Sequence, residues 1–188
     1  MDIILLSGKA GTGKDTVADY IVDNYGFVKV SFADPLKRGI MEMFQLSKEQ
    51  VYDREEREKQ LTLFPEWSGR KLLQYVGTEL FRNQIDKDIW VKAAANSVLR
   101  MNKCSGINKF VFSDVRFPNE EQFTEKYLQT ESTLINITRP GYTGSIGIHN
   151  HSSEHWEPSN PKFILRNNYE IEDLYKKVDD IMSSLNIK

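Results

Sequence analysis

The sequence predicts an α/β fold, a three-layer sandwich in which helices cover a mostly parallel central sheet. Three observations predict it. The apolar run Ile3 to Leu6 breaks at Ser7-Gly8, as a strand covered on both faces does. Directly after it, Val17, Ala18, Ile21, Val22 and Tyr25 recur at helical spacing. Short strand-like runs then alternate with helical patterns along the chain, which implies right-handed crossovers and ligands at the strand C-terminal ends.

The elements follow in order. Gly26 caps the first helix, and Phe27 to Phe32 alternates as a second strand. Ala33-Asp34-Pro35 starts a helix whose apolar side includes Leu36, Ile40 and Phe44. Ser47 with Gln50 resembles a capping box for another short helix. The run DREEREK, Asp53 to Lys59, mixes signs and reads as a solvated helical face or mobile connector. Two helices fill Ser68 to Arg100. The first turns Leu72, Leu73, Val76, Leu80 and Phe81 inward, the second is IWVKAAANSVL, and Asp86-Lys87-Asp88 lies between them. Lys109 to Ser113 is a strand ending in Asp114, and Pro118-Asn119-Glu120 opens a helix. Leu134 to Thr138 and Phe163 to Leu165 are further strands, and a helix runs from about Ile171 to Leu185. The stretch RPGYTGSIGIHNHSSEH, within a lid of about 139–157, is rich in Gly, Ser and His and reads as a mobile loop. No repeat or linker marks a second domain, so residues 1–188 read as one domain with a helical substrate-binding region over about 35–100.

Composition narrows the function. With 39% hydrophobic and 28% charged residues, the chain has what it needs to fold alone. A formal charge of -2 supplies no basic field for nucleic acid, although a small anion needs only a local cluster. Cys104 is the only cysteine, so an intrachain disulfide is excluded and a thiolate zinc site disfavoured, as suits the cytoplasm. The start MDIILLSGKAG is acidic, and its apolar run is too short for a signal peptide or a membrane span.

Gly8-x4-Gly13-Lys14 has the spacing of a Walker A loop, the P-loop. In such a loop, successive backbone N–H groups surround phosphates and the following helix points its positive end at them. Ala10, Gly11, Thr12, Gly13, Lys14, Asp15 and Thr16 are the expected ATP-binding residues, with Lys14 bridging the β and γ phosphates. Asp15 departs from the usual loop, which has a Mg²⁺-ligating hydroxyl here. Either Asp15 contacts hydrated Mg²⁺ or organises a basic residue, with Thr16 supplying the hydroxyl, or it caps the helix start.

A second group points to transfer rather than hydrolysis. Arg70 and Lys71, with Gln74, Gly77 and Thr78 on the same helix, offer an incoming phosphate cations and an amide; the alternative is a solvated helix start with one packing glycine. Trp90 can stack on a base or belong to the core, and Lys37 and Arg38 add cations after the second strand. Asp114 ends a strand as a Walker B-like acid would, or caps the next helix. Arg116 can bridge donor and acceptor phosphates, and Glu120 can fix that arginine or contact a sugar or base.

Together, GKAGTGKDT, GRKLLQYVGTELFRNQIDKDIWVKAA, SDVRFPNEEQF and INITRPG with a following SSEH resemble the deoxynucleoside monophosphate kinases of tailed bacteriophages, from residue 3 to about 155. The resemblance implies an adenylate-kinase-like P-loop fold and ATP-dependent, Mg²⁺-assisted phosphorylation of deoxynucleoside 5′-monophosphates, with dGMP and dTMP the expected acceptors. It implies that Lys14, Asp114 and Arg116 are catalytic, and that Arg139 covers the ATP side near the lid. It implies that Leu36, Lys37, Arg70, Gln74, Gly77, Thr78, Trp90, Asp114, Arg116 and Glu120 line the acceptor site. Asp15 is then a family trait. Homodimerisation and a cytoplasmic location, in the host if the gene is a phage's, are carried by the same resemblance. Here DREEREKQLTLFPEW is shorter than the corresponding region of the best-known phage member.

Other readings stay open beside it. One is another small-molecule P-loop kinase, of the dephospho-coenzyme A or phosphomevalonate type. Another is a nucleotide-gated regulatory ATPase whose turnover ignores any monophosphate. His149, His151 and His155 all lie in the lid; with no cysteine beside them they read as a solvated or phosphate-contacting lid rather than a zinc site.

Overall fold

The computed structural model describes residues 1–141, 157–168 and 170–187. Most of the expected lid and all three histidines lie outside the described residues. In chain order, β1 (Asp2–Ser7), α1 (Lys14–Tyr25) and β2 (Val28–Val30) precede α2 (Asp34–Phe44), α3 (Lys48–Tyr52), β3 (Gln60–Leu61), β4 (Phe64–Ser68) and α4 (Gly69–Gln74). α5 (Ile89–Ser105), β5 (Lys109–Phe112), α6 (Pro118–Glu121), β6 (Thr133–Thr138), β7 (Phe163–Arg166) and α7 (Ile171–Ser184) follow. The chain gathers into two compact units, Met1–Ser31 with Ala95–Lys188, and Phe32–Ala94.

In the first unit the strands form one five-stranded sheet in the order β2-β5-β1-β6-β7, every neighbouring pair parallel. β1 is central, and Ile3 through Ser7 are all buried, which is why its sequence is a continuous apolar run instead of an alternation. Ile4, Leu6, Val111, Ile135, Ile137 and Leu165 meet Val17, Ala18 and Ile21 of α1 and Leu174, Val178 and Met182 of α7 in one core. Fully burying each of the Val, Leu, Ile and Met side chains among them stabilises by about 1.5–3 kcal/mol. Phe112 of β5 packs edge-on against Phe123, ring centroids 5.0 Å apart. α1 and α7 are also clasped at their surface. Tyr20 stacks on Tyr175 at 4.0 Å, and Tyr20 and Tyr25 both donate their hydroxyls to Asp179.

The second unit has its own core, in which Leu36 and Ile40 of α2 pack with Val51, Leu61, Leu72 and Val76. Ser47 and Gln50 form the expected capping box at α3: Gln50 N donates to Ser47 Oγ and Ser47 N to Gln50 Oε1. The mixed-charge run is partly ordered, because Asp53 Oδ1 accepts from Glu55 N and Glu56 N and starts a 3-10 turn over Glu56–Glu58. The β3–β4 hairpin after it has no counterpart in the sequence reading. Gly69, at the start of α4, is close-packed: a β-carbon there would fall 1.9 Å from the Gln50 carbonyl oxygen.

The long helix expected from Gly69 is one regular turn and a half, α4, continued by a π-helical stretch over Tyr75–Arg82. The wider i→i+5 winding moves the register. Phe81, five residues after Val76, packs on the core, and Leu80, expected inward, is exposed. The helix expected from Pro118 is likewise short, α6, with a π-helical stretch over Thr124–Leu128 beyond it.

Candidate active site

The loop between β1 and α1 takes its shape from glycines at positions where a side chain would not fit. Gly8 has φ 130°, and a β-carbon on it would lie 2.2 Å from the Ile137 carbonyl oxygen of β6. Gly13, at φ 104°, would place one 2.8 Å from Asn167 Nδ2. Side chains from distant segments fasten the loop. Asn167 Nδ2 donates to Thr12 O at 2.9 Å, and the buried Asn167 is itself held by its backbone N–H on Thr138 O at 2.8 Å. Arg139 Nη1 donates to Gly11 O at 3.2 Å, which places this expected ATP-side arginine on the loop. Thr12 Oγ1 closes the turn onto Lys9 O at 2.9 Å, with Ala10 and Gly11 enclosed between them.

Lys14, 7% exposed, donates Nζ to Gly8 O at 2.7 Å and Lys9 O at 2.9 Å, so its charge sits within the loop. α1 begins here with no side-chain cap, so its first N–H groups and dipole are available to an anion. Asp15 follows in the first turn of α1, where the helix dipole favours a carboxylate. Its Oδ1 lies 3.0 Å from Lys29 Nζ and accepts from Ser113 Oγ at 2.9 Å. Burial alone raises the Asp15 carboxyl, but the Lys29 ammonium, with Ser113 and Lys14, outweighs it and holds the group below its ordinary value. Thr16 is half-buried beside it.

At the C-terminal end of β5, Asp114 Oδ2 accepts from Ser31 Oγ at 2.5 Å. Glu120 is 2% exposed, and its Oε2 accepts the backbone N–H groups of Arg116 at 2.7 Å and Phe117 at 3.1 Å. It therefore braces Arg116 through the main chain. Asp15, Asp114 and the Lys14 loop are thus gathered at the same end of the parallel sheet, the end at which such folds place ligands.

The second unit holds the other expected residues. Trp90 Nε1 donates to Gly77 O at 2.9 Å, and its ring tilts against Phe81 at 5.5 Å. A β-carbon on Gly77 would come within 2.5 Å of Leu36 Cδ2. Leu36, Gly77 and Trp90 are therefore packed as a group. Lys37 Nζ stands 4.6 Å over the Tyr52 ring, a cation–π contact. Arg70 Nη1 pairs with Glu58 Oε1 at 2.8 Å, and Gln74 and Thr78 lie half-buried on the turns that follow.

Four further residues, not singled out by sequence pattern, hold these groups: Lys29, Ser31, Ser113 and Asn167. A signal existed for two of them, since strand alternation through Val28 and Val30 puts Lys29 and Ser31 on one face. For Asn167, 155 residues from its partner Thr12, there was none.

Comparison with known proteins bears on the family and the fold. The family described as deoxynucleotide monophosphate kinase matches residues 2–63 and 55–178. A protein of Acanthamoeba polyphaga mimivirus, assigned as a deoxynucleotide monophosphate kinase, is 36% identical over 191 aligned positions, covering 95% of this chain and 94% of the relative. The deoxynucleotide monophosphate kinase of Enterobacteria phage T4 is 24% identical over 249 positions, covering 98% of this chain and 100% of the relative. Among solved structures, the APS kinase of Mycobacterium tuberculosis in complex with AMPPNP and APS superposes with a TM-score of 0.54 at 12% identity, covering 97% of each chain. A sugar kinase from Janibacter superposes with a TM-score of 0.51 at 11% identity, covering 100% of this chain and 95% of that one. At such identities the two structures speak for the fold, and the sequence relatives speak for the family. This chain belongs to the deoxynucleotide monophosphate kinase family.

Proposed function

We propose that the chain transfers the γ-phosphoryl group of ATP to the 5′-phosphate of a deoxynucleoside monophosphate, with dGMP and dTMP the favoured acceptors. The observation that carries the reading is the Gly8–Thr16 loop, whose glycines pack against β6 and Asn167 and which leads into the uncapped N-terminus of α1, in a chain of this family. On this reading Ala10 to Thr16 surround the ATP phosphates and Arg139 covers them. Leu36, Lys37, Arg70, Gln74, Gly77, Thr78 and Trp90 are acceptor-binding residues on this reading, and so are Asp114, Arg116 and Glu120.

The chemistry asks little covalent work of the protein. The acceptor phosphate has a second pKa of about 6 and is largely ionised at neutral pH, so no general base is required. Catalysis is positioning and charge neutralisation: Lys14 on the β and γ phosphates and Arg116 between donor and acceptor oxygens. Glu120 holds the Arg116 main chain in place, which limits how far the guanidinium can wander.

The donor set suits Mg²⁺. Asp15, Asp114 and the Thr16 hydroxyl are hard oxygen groups, and among the described residues no cluster of three or more His, Cys, Asp or Glu forms a protein-only cage. Mg²⁺ is ordinarily held by one or two carboxylates together with substrate phosphates and water. When bound it neutralises the β and γ oxygens as charge develops. Asp15 or Thr16, with Asp114 acting through water, would hold it.

Among the described residues no helix is long and apolar enough to cross a membrane. We place the enzyme in the cytoplasm, as a homodimer, acting on free nucleotides and not on nucleic acid. The test is incubation with Mg²⁺-ATP and each deoxynucleoside monophosphate in turn, with chromatographic identification of products. Diphosphate formation from dGMP and dTMP is expected. ATP turnover of the same rate with and without every acceptor contradicts the reading.

A further inference from the structure

We infer that Lys29 is a positioning residue for phosphoryl transfer: with Ser113 it anchors one oxygen of Asp15, leaving the other for the water shell of the divalent cation that accompanies ATP. The inference deepens the proposed function and rests on it.

The first observation is the asymmetry of the carboxylate. Lys29 Nζ at 3.0 Å and Ser113 Oγ at 2.9 Å both address Oδ1 of Asp15, and among the described residues Oδ2 takes no such contact. A carboxylate held by one oxygen keeps its rotamer and still has a free acceptor for metal-bound water. The second observation is where the anchors come from. Lys29 lies on β2 and Ser113 just past β5, and these strands are paired in parallel, so two neighbouring strands fix one side chain on the first turn of α1.

The third is the place of Asp15 in the chain. It directly follows Lys14, where common Walker A loops carry the hydroxyl that ligates Mg²⁺. A carboxylate in that place repels the phosphates unless a cation stands beside it. Lys29 supplies that cation. It therefore does two things that a Ser or Thr loop has no need of, neutralising Asp15 and fixing it. Lys29 also lies 2.9 Å from Oδ1 of Asp19, one helical turn further on, and this second pair provides a control.

The test reads metal binding directly. Mn²⁺ is titrated into enzyme saturated with a non-hydrolysable ATP analogue, and free Mn²⁺ is followed by electron paramagnetic resonance. Lys29→Met is expected to weaken Mn²⁺ binding about ten-fold, the lower end of what losing a partner of a metal-site ligand costs. Lys29→Arg, which keeps the ion pair, is expected to restore most of it. Asp19→Asn removes an equally short pair and leaves both contacts on Asp15 Oδ1 in place, so it is expected to stay within about two-fold. In an Asp15→Ser background, adding Lys29→Met is expected to change Mn²⁺ binding by less than about two-fold, since the coupling has been removed. Should Lys29→Met fail to fold, Ser113→Ala removes the other donor and is expected to weaken Mn²⁺ binding with the same dependence on Asp15. Equal losses in the wild-type and Asp15→Ser backgrounds, or unchanged Mn²⁺ affinity in Lys29→Met, overturn the inference. A wild-type enzyme that binds no ATP analogue overturns the P-loop reading itself, a result distinct from losses confined to the variants.

Discussion

The carbonyl oxygen of Ile137 stands 2.2 Å from where a β-carbon on Gly8 would fall. The contact joins the phosphate loop to the backbone of β6, which does not yield as a flexible side chain would. Gly8→Ala is therefore expected to lower stability by about 2 kcal/mol or more, from backbone strain and overlap together, and to abolish ATP binding. Gly26→Ala is the comparison, because at φ 70° it meets no atom within 4 Å and carries only the left-handed strain, about 1 kcal/mol. Urea denaturation of both variants checks the order; equal losses contradict it.

Lys14→Met keeps the buried stem and removes the charge. Phosphoryl transfer is expected to fall by roughly 100-fold or more, while the thermal midpoint moves by only a few degrees. Wild-type turnover with a normal melting curve would remove the P-loop from the mechanism.

Arg116 and Glu120 separate a chemical from a supporting role. Arg116→Ala is expected to lower kcat by roughly 100-fold with ATP affinity nearly unchanged, since the guanidinium acts on the transferring group. Glu120→Ala leaves two backbone N–H groups without their carboxylate and is expected to cost about 2–3 kcal/mol of stability, with a smaller loss of kcat than Arg116→Ala. Steady-state kinetics beside denaturation curves distinguish the two; an Arg116→Ala enzyme of unchanged rate refutes the assignment.

The tyrosine clasp on Asp179 predicts an alkaline limit. Burial, and then the hydrogen bond to Asp179, push the Tyr25 phenol up to about 12, and Tyr20 shifts in the same direction, chiefly through its bond to Asp179. The fold thus favours the neutral phenols. Their contribution is complete below the ordinary tyrosine value of about 10 and is lost as pH rises toward about 12. Denaturation midpoints between pH 9 and 12 are expected to fall in the wild type and to fall less steeply in Tyr25→Phe. Parallel curves would show that the clasp has no part in alkaline stability.

Much of this was legible in the sequence because it is local. The burial of β1, the Gly8–Thr16 loop, the Ser47–Gln50 box and the start of α2 at Asp34-Pro35 each depend on residues a few positions apart. What was not legible has identifiable causes. β3 has two residues, too few for any periodicity to show, and β4 contains Pro65. Leu80 reads as inward at α-helical spacing and is exposed, because the winding changes to π after Gln74. The bracing of Asp15 by Lys29 and Ser113, and of Thr12 by Asn167, joins residues from 14 to 155 positions apart. Such pairings follow from strand order, which single-chain patterns do not determine. Glu120 reads as a group that fixes Arg116 or contacts a sugar or base, and what it holds is main chain, because it is the third residue of α6 and its carboxylate reaches back to the N–H groups of Phe117 and Arg116.

The fate of a label on the γ-phosphate of ATP separates transfer from hydrolysis most directly. The enzyme is incubated with Mg²⁺ and γ-labelled ATP, with and without dGMP or dTMP, and the products are separated. The label is expected on the β position of the deoxynucleoside diphosphate, with its release from ATP dependent on the acceptor. Label recovered only as inorganic phosphate, at a rate indifferent to either deoxynucleotide, would contradict transfer.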